Sequence, residues 1–257
     1  MNNGFDLLFN NVIIYDTLFW GVKTVTEHPN LTNFKLENEE KYNLWSEFVV
    51  KNFGVENLTD ENYLKFAPLY PEFSKIIAIG YATIENKDNK INRNLKIISE
   101  KTEIEILKKF NDVLEYYDNI GKSTNPRFEF VMCGYNLINY DIPVYLKKYA
   151  KYFSDDQDTR LSYMMKSYLS SKPWNSNIID INSVYTMNSS LPFVGFKAMV
   201  ETFNLKQADN VLSFEETSKY YWENIEQDEK NTMKKINLQL GNQINTNIQF
   251  VNKFRTI

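Results

Sequence analysis

Two acidic residues of this chain, Asp16 and Asp141, follow apolar runs, at positions where a sheet could form a catalytic or metal-binding site. Asp16 directly follows the β-branched run at residues 12–15, and Asp141 follows a second apolar run after a turn that contains Asn136 and Tyr140. Open α/β folds bind ligands beyond the carboxyl ends of their strands. Carboxylate oxygens are the ligands that hard cations such as Mg²⁺ prefer. The two acids together therefore suggest a metal-dependent site at one edge of a sheet.

The hydrophobic pattern predicts the elements that would position these acids. Apolar, β-branched runs predict five strands, at residues 12–15, 75–84, 94–99, 127–133 and 178–181. Helical spacing predicts helices at residues 39–53, 60–66, 104–117, 142–152, 196–203, 215–226 and 229–254. This order predicts an α/β fold, with a mixed sheet of about five strands and helices on both faces. We expect one domain over residues 1–257, with a long insertion-like segment at residues 17–74 after the first strand.

Composition limits the class of protein. The formal net charge is −4 and the pI is near 5.3, which argues against binding nucleic acid mainly through a basic surface. The single cysteine, Cys133, lies in an apolar run and predicts a buried thiol in a reducing compartment. The chain shows neither a secretory signal nor an apolar run near the ~20 residues of a membrane span. We expect a soluble cytoplasmic protein, or a virion-associated one if, as the Asn- and Lys-rich composition suggests, a phage encodes it.

Residues 134–143 read Gly-Tyr-Asn-Leu-Ile-Asn-Tyr-Asp-Ile-Pro. They resemble the second motif of the DnaQ-like (DEDD) 3′–5′ exonucleases, Gly-His-Asn followed by Phe-Asp-Ile-Pro. The similarity is greatest to the stand-alone exonucleases related to the proofreading domain of family B DNA polymerases, and it covers nearly the whole chain. Residues 12–16 resemble the strand that carries the first motif, Asp-x-Glu, and residues 242–246 resemble the third, Tyr-x-x-x-Asp-Val. The resemblance implies a ribonuclease H-like fold and two Mg²⁺ or Mn²⁺ ions, held by four acids, that cleave DNA or RNA ends.

The resemblance assigns two of the four acids and leaves two positions without one. Asp16 matches the first acid of the first motif, and Asp141 matches the acid of the second. The other first-motif acid falls on Leu18, and the third-motif acid falls on Asn242, whose amide is a weak ligand without charge. The aromatic or histidine side chain that orients the attacking water falls on Leu238. By charge alone, at most one weakly held Mg²⁺ or Mn²⁺ is expected.

Two functional interpretations remain open. The first is a degenerate exonuclease homologue, catalytically silent or weak. It would bind nucleic acid through Asn136 and Tyr140, or serve as a component of a larger replication or phage assembly. The second is an active metal-dependent 3′–5′ exonuclease that acts on DNA or RNA ends. Its missing ligands would come from other acids, such as Glu27 or Asp180, or its sequence would carry inactivating substitutions introduced on purpose. Asp141 also has a purely structural interpretation, as the N-cap of the helix that follows it.

Overall fold

A computed structural model describes residues 17–87, 90–124, 131–155, 160–170, 177–186, 195–206 and 212–254. Its strands are β1 (Thr17–Thr26), β2 (Ser74–Lys87), β3 (Lys90–Ile98), β4 (Val131–Gly134) and β5 (Ile178–Asp180). They form one five-stranded sheet in the order β3-β2-β1-β4-β5. The pairs β1–β2 and β2–β3 are antiparallel, whereas β1–β4 and β4–β5 are parallel. The predicted α/β fold with a mixed, ribonuclease H-like sheet of five strands is confirmed.

The described helices are α1 (Leu31–Glu37), α2 (Glu39–Phe53), α3 (Asp60–Phe66), α4 (Glu103–Thr124), α5 (Ile142–Phe153), α6 (Tyr163–Ser170), α7 (Ile181–Tyr185), α8 (Phe196–Thr202), α9 (Phe214–Asn224) and α10 (Glu229–Phe254). Seven of these helices follow the predicted order, and α1, α6 and α7 were not predicted. Helix α4 begins with a capping box, because Thr102 Oγ1 accepts the Glu105 N–H and the Glu105 carboxylate accepts the Thr102 N–H, both at 3.2 Å. None of the helices in the described ranges is long and apolar enough to cross a membrane.

The central strand differs from the prediction. The strand that pairs with both β2 and β4 is Thr17–Thr26, within the segment that the sequence pattern predicts to be an insertion. Residues 12–16, with Asp16, lie outside the described residues. Every residue of β1 is buried, because helices cover both faces of the sheet, and such a strand shows no alternation of apolar and polar residues. The segment inserted between β1 and β2 therefore starts at residue 27 and forms α1, α2 and α3.

Helices cover the sheet on both faces, as predicted. On one face α10 packs through Leu240 and Ile244 over Phe19 of β1. On the other face α4 and α5 pack over β1 residues Leu18 and Trp20. Cys133 of β4 is a buried free thiol, as expected from its apolar surroundings.

A pair of glycines lets α10 approach the middle of the sheet. Gly21 of β1 and Gly80 of β2 are cross-strand partners. A Cβ atom on Gly80 would lie 2.5 Å from Ile244 Cδ1 and 2.9 Å from Leu240 Cγ, closer than real Cβ contacts. Side chains of the helix therefore rest on backbone at this point, and a side chain at position 80 would displace them.

Candidate functional site

Asp141 lies beside the central strand. Strand β4 ends at Gly134, and a π-helical turn over Leu137–Asp141 leads into α5. The side chain of Asp141 is only 4% exposed, and its Oδ1 accepts the backbone N–H of Val22 at 2.8 Å. The β1–β4 ladder stops at the Phe19–Cys133 pair, so Val22 lies beyond the last residue that β4 pairs with. Asp141 thus supplies the acceptor that a longer β4 would have supplied.

The N-cap role considered for Asp141 is wrong. Its backbone is helical, with φ −62° and ψ −45°, and its side chain makes no capping hydrogen bond. The π-helical turn runs directly into α5, so Asp141 stands inside a continuous helical path, whereas an N-cap residue has non-helical torsions. Its carboxylate therefore points to β1, and the burial of this charge needs another explanation.

Gly21 and Lys23 flank Val22, whose backbone N–H donates to Asp141. A Cβ atom on Gly21 would lie 3.8 Å from Asp141 Oδ1 and 3.9 Å from Leu240 Cδ1, which is ordinary van der Waals contact. Lys23 is 7% exposed, and the β1–β2 register shifts directly after it. Such a bulge re-aims neighbouring side chains and is common beside functional sites. A glycine and a lysine thus occupy the part of β1 that faces the acid.

Burial dominates the electrostatics of this pair. Burial raises the pKa of Asp141 well above its usual value, against the Val22 hydrogen bond and the charge of Lys23, which both lower it. Burial also lowers the pKa of Lys23 to about 8, although the charge of Asp141 opposes the shift. Each group therefore stabilises the charged form of the other in a place where water does little.

Tyr140 and Asn136, the residues expected to contact nucleic acid, make internal contacts. The hydroxyl of Tyr140 donates to the Pro68 carbonyl at 2.9 Å and lies 2.5 Å from Thr24 Oγ1. Asn136 adopts a left-handed conformation with φ 59°, and its backbone N–H donates to Asp180 Oδ1 at 3.2 Å. Tyr140 thus ties the inserted segment to β1, and Asn136 shapes the turn before Asp141.

The two alternative acids are also held by other groups. Asp180 accepts the backbone N–H groups of Asn136, Ile138, Asn182 and Ser183. Glu27 is paired with Lys41 and lies 3.5 Å from Lys148 Nζ. Asp180 therefore caps α7 and the turn after β4, and Glu27 belongs to a cluster of ion pairs.

Among the described residues, no hydrogen bond joins Asp141 to the remaining predicted positions, Leu18, Leu238 and Asn242. Leu18 is fully buried in the apolar core between β1, α4 and α5. Leu238 is 64% exposed, and Asn242 is half-buried, with Thr246 Oγ1 donating to its backbone carbonyl. The residue of α10 nearest to the position of a Gly21 Cβ is Leu240. The positions that converge are therefore Gly21, Lys23, Asp141 and Leu240, of which sequence analysis had identified only Asp141.

This set does not fit the Mg²⁺ or Mn²⁺ ions that the resemblance implies. Hard divalent cations need several oxygen ligands and carboxylates to balance their charge. Asp141 is a single carboxylate, and the ammonium of Lys23 repels a second cation. Within the described ranges, no three His, Cys, Asp or Glu side chains come together as metal ligands. The sequence contains one signal that could have identified Gly21 and Lys23, because these two residues interrupt a run of strand-forming residues in β1.

Comparisons with protein-family models and with curated protein sequences give no match for this chain.

Proposed function

We propose that this protein is a degenerate homologue of the 3′–5′ exonucleases, catalytically silent or weak, which acts as a nucleic-acid-binding or assembly component. The observation that carries the proposal is the identity of the residues of β1 that lie beside Asp141. Gly21 has no side chain and Lys23 carries an ammonium group, so neither offers the oxygen ligands that a hard divalent cation needs. Phosphodiester hydrolysis by two metal ions requires acids at such positions.

The contacts around Asp141 support a protein that keeps the fold but has lost metal-dependent hydrolysis. The π-helical turn, the Val22 hydrogen bond and the Tyr140 contacts all place the acid firmly against β1. Each of these interactions is structural and would persist without a metal. A molecule that keeps this framework and loses the ligand set is suited to a binding role, either on nucleic acid or on a partner in a replication or phage assembly.

The direct test is a nuclease assay on the full chain. We would incubate the protein with 5′-labelled single-stranded DNA and RNA in Mg²⁺ or Mn²⁺ and follow shortening on a denaturing gel. We expect no shortening above that of the Asp141→Ala variant, prepared in parallel as the matched control. Metal-dependent trimming that Asp141→Ala abolishes would overturn the proposal and favour an active exonuclease.

The binding role is tested with the same oligonucleotides. Fluorescence anisotropy would measure their binding in EDTA, so that any metal-dependent contribution is removed. Binding that is unchanged by EDTA supports a nucleic-acid-binding component. An absence of binding shifts the proposed role to a protein partner in the assembly.

A further inference from the structure

The ammonium group of Lys75 lies in a corner between two aromatic rings. Lys75 is in β2, where it pairs with Val25 of β1. Its Nζ lies 4.1 Å from the centroid of the Trp222 ring and 4.7 Å from that of the Tyr221 ring. The two rings are inclined to each other by 84°, so they form adjacent walls around one charge. Both distances are within the ~6 Å over which a ring face attracts a cation.

Other groups hold each of these walls in place. Trp222 Nε1 donates to Thr26 Oγ1 at 2.9 Å, which ties this ring to the end of β1. Tyr221 packs against the apolar cluster that includes Val25 of β1 and Ile236 of α10. The rings of Tyr221 and Trp222, which we call the aromatic cage, are therefore positioned independently of the lysine that they surround.

The nitrogen of Lys75 has a charge but no polar partner in the protein. Among the described residues, none accepts a hydrogen bond from Lys75 Nζ and none forms an ion pair with it. An unmodified ammonium has three donors and is strongly hydrated, so it is poorly matched to a half-buried position without acceptors. Burial accordingly lowers the pKa of Lys75 to about 8, although nearby carboxylates oppose the shift. The buried Lys148 differs, because its Nζ donates to the Ser74 carbonyl.

A methylated ammonium matches these surroundings. Methylation of a lysine keeps its positive charge and replaces N–H donors with apolar methyl groups. Ring faces attract such a charge and pack against its methyl groups, which is why aromatic cages recognise methyl-lysine and quaternary ammonium ligands. Lys75, Tyr221 and Trp222 are all half-buried, so each keeps exposed surface from which a methyl donor can approach.

Lys235 shows what an ordinary surface contact of this kind looks like. Its Nζ lies 4.0 Å from the centroid of one ring, that of Tyr220, and the lysine is exposed. Water can therefore satisfy its donors, and a methyl group added there would gain one ring face at most. The second wall and the partial burial distinguish Lys75 from Lys235.

We propose that Lys75 is a site of Nε-methylation, and that Tyr221 and Trp222 hold the methylated ammonium. The methyl donor is a sulfonium compound. The lone pair of the amine attacks the methyl carbon, the carbon–sulfur bond breaks, the donor leaves as a thioether and the nitrogen loses a proton. Because the cage belongs to α9 and Lys75 to β2, the modification strengthens the attachment of α9 to the sheet. The cage shares no residue with the site around Asp141, so this modification is independent of the proposed function.

The first test compares two forms of the full chain that differ only in three methyl groups. In Lys75→Cys, the thiolate displaces bromide from 2-bromoethylamine or from (2-bromoethyl)trimethylammonium, which leaves a thioether with a plain or a trimethylated ammonium. Cys133 is buried and should not react, and the wild type treated in parallel checks this. We expect the trimethylated form to melt about 2–4 °C above the plain form.

The controls separate the cage from a general effect of methylation. The same two reagents on Lys235→Cys should give a clearly smaller difference, and adding Trp222→Leu to Lys75→Cys should abolish it. If the chain with Trp222→Leu does not fold, Tyr221→Leu takes its place. The absence of a gain at position 75, an equal gain at position 235, or a gain that survives loss of a ring each overturns the inference.

The second test measures whether a reagent reaches the nitrogen in the wild type. With formaldehyde and an amine–borane at pH 7, the amine and the aldehyde lose water to form an imine, which hydride from the borane reduces. Two rounds give dimethyl-lysine, which peptide mass spectrometry follows with time. We expect Lys75 to be modified at least as fast as Lys235. If Lys75 stays unmodified after Lys235 has reacted, the inference is overturned, because a modification site must be reachable.

A substitute for the first test is available if Lys75→Cys does not fold. The wild type and Lys75→Arg would both be melted before and after the reaction with formaldehyde and the amine–borane. All other lysines are common to the two chains, so they contribute equally. A larger gain in melting temperature for the wild type supports methylation at Lys75, and equal gains overturn it.

Discussion

Lys23 and Lys148 are both buried, but their surroundings differ. Lys148, in α5, is 2% exposed; its Nζ donates to the Ser74 carbonyl and lies 3.5 Å from Glu27 and 3.6 Å from Glu103. Lys23, on β1, is 7% exposed and interacts with Asp141, whose carboxylate already accepts the Val22 N–H. One lysine has two carboxylates close by, and the other shares a single one with the backbone.

The difference separates an ion cluster that joins several elements from a buried lysine beside a single acid. The partners of Lys148 come from the end of β1, the start of β2 and the start of α4, so its ammonium joins elements that are distant in sequence. Glu103 adds two more contacts, to the Ile76 N–H at 2.6 Å and the Tyr152 hydroxyl at 2.8 Å. A buried ion pair is stabilising only when its remaining hydrogen-bonding groups are satisfied, as they are here. Among the described residues, Lys23 makes no comparable junction between elements.

The largest effect is expected from Lys148→Met. Removal of the ammonium leaves Glu103 and Glu27 close together and nearly buried, and breaking a buried pair costs about 3–5 kcal/mol of unfolding free energy. Urea unfolding followed by circular dichroism would measure this loss. Lys147→Met is the matched control, since Lys147 pairs with Glu72 at the surface and its removal should change the value by less than about 0.5 kcal/mol. Equal stability of the two variants would contradict the distinction between cluster and site.

A smaller loss is expected from Asp141→Ala. The substitution leaves the Val22 N–H without an acceptor and Lys23 without its counter-charge, at a cost of about 1–3 kcal/mol. Asp141→Asn keeps an acceptor oxygen and should lose less. Combining Asp141→Asn with Lys23→Met gives a double-mutant cycle, in which we expect a coupling energy of about 0.5–3 kcal/mol. Strictly additive single effects would show that the two charges do not interact.

Stability should also increase with pH in the alkaline range. The pKa values of Lys23 and Lys75 are lowered to about 8 in the folded state, mainly by burial, from 10.5. Above pH 8 the folded chain therefore loses protons that the unfolded chain still holds, so the unfolding free energy increases with pH. Each lysine contributes up to about 1.4 kcal/mol per pH unit. Urea unfolding between pH 8 and about 9.5 should show this slope, and Lys23→Met should reduce it. An unchanged slope in that variant would be evidence against the lowered pKa of Lys23.

The smallest effect is expected from Gly21→Ala. The added methyl group meets Asp141 and Leu240 at ordinary contact distances, so the unfolding free energy should change by less than about 0.5 kcal/mol. Gly134→Ala is the contrasting variant, because its Cβ would lie 2.6 Å from the Trp20 carbonyl oxygen and backbone must move, at about 1–3 kcal/mol. Thermal melts of both variants would check this. A severe effect of Gly21→Ala would show that the site has no room for a larger side chain.

Most of the fold could be predicted because local signals agree with it. The bounds predicted for α2, α3 and α10 match the structure, since their apolar periodicity is clear. The structure adds N-caps at Asn38 for α2 and at Thr59 for α3. Strand β1 was harder because it is buried on both faces. The site could not be predicted from acids, since apart from Asp141 the residues that converge there are a glycine, a lysine and a leucine. The first motif was assigned to residues 12–16 because of Asp16, whereas the strand that contacts Asp141 begins at Thr17.

The contact between Val22 and Asp141 spans 119 residues, and this has a consequence for synthesis on the ribosome. Strand β1 leaves the ribosome first, yet the residue that completes its hydrogen bonding follows roughly ten seconds later at ordinary translation rates. Throughout that interval, the central strand of the future sheet has an open edge, the kind of surface that pairs with other chains. The nascent chain is therefore expected to depend on chaperones until α5 has emerged.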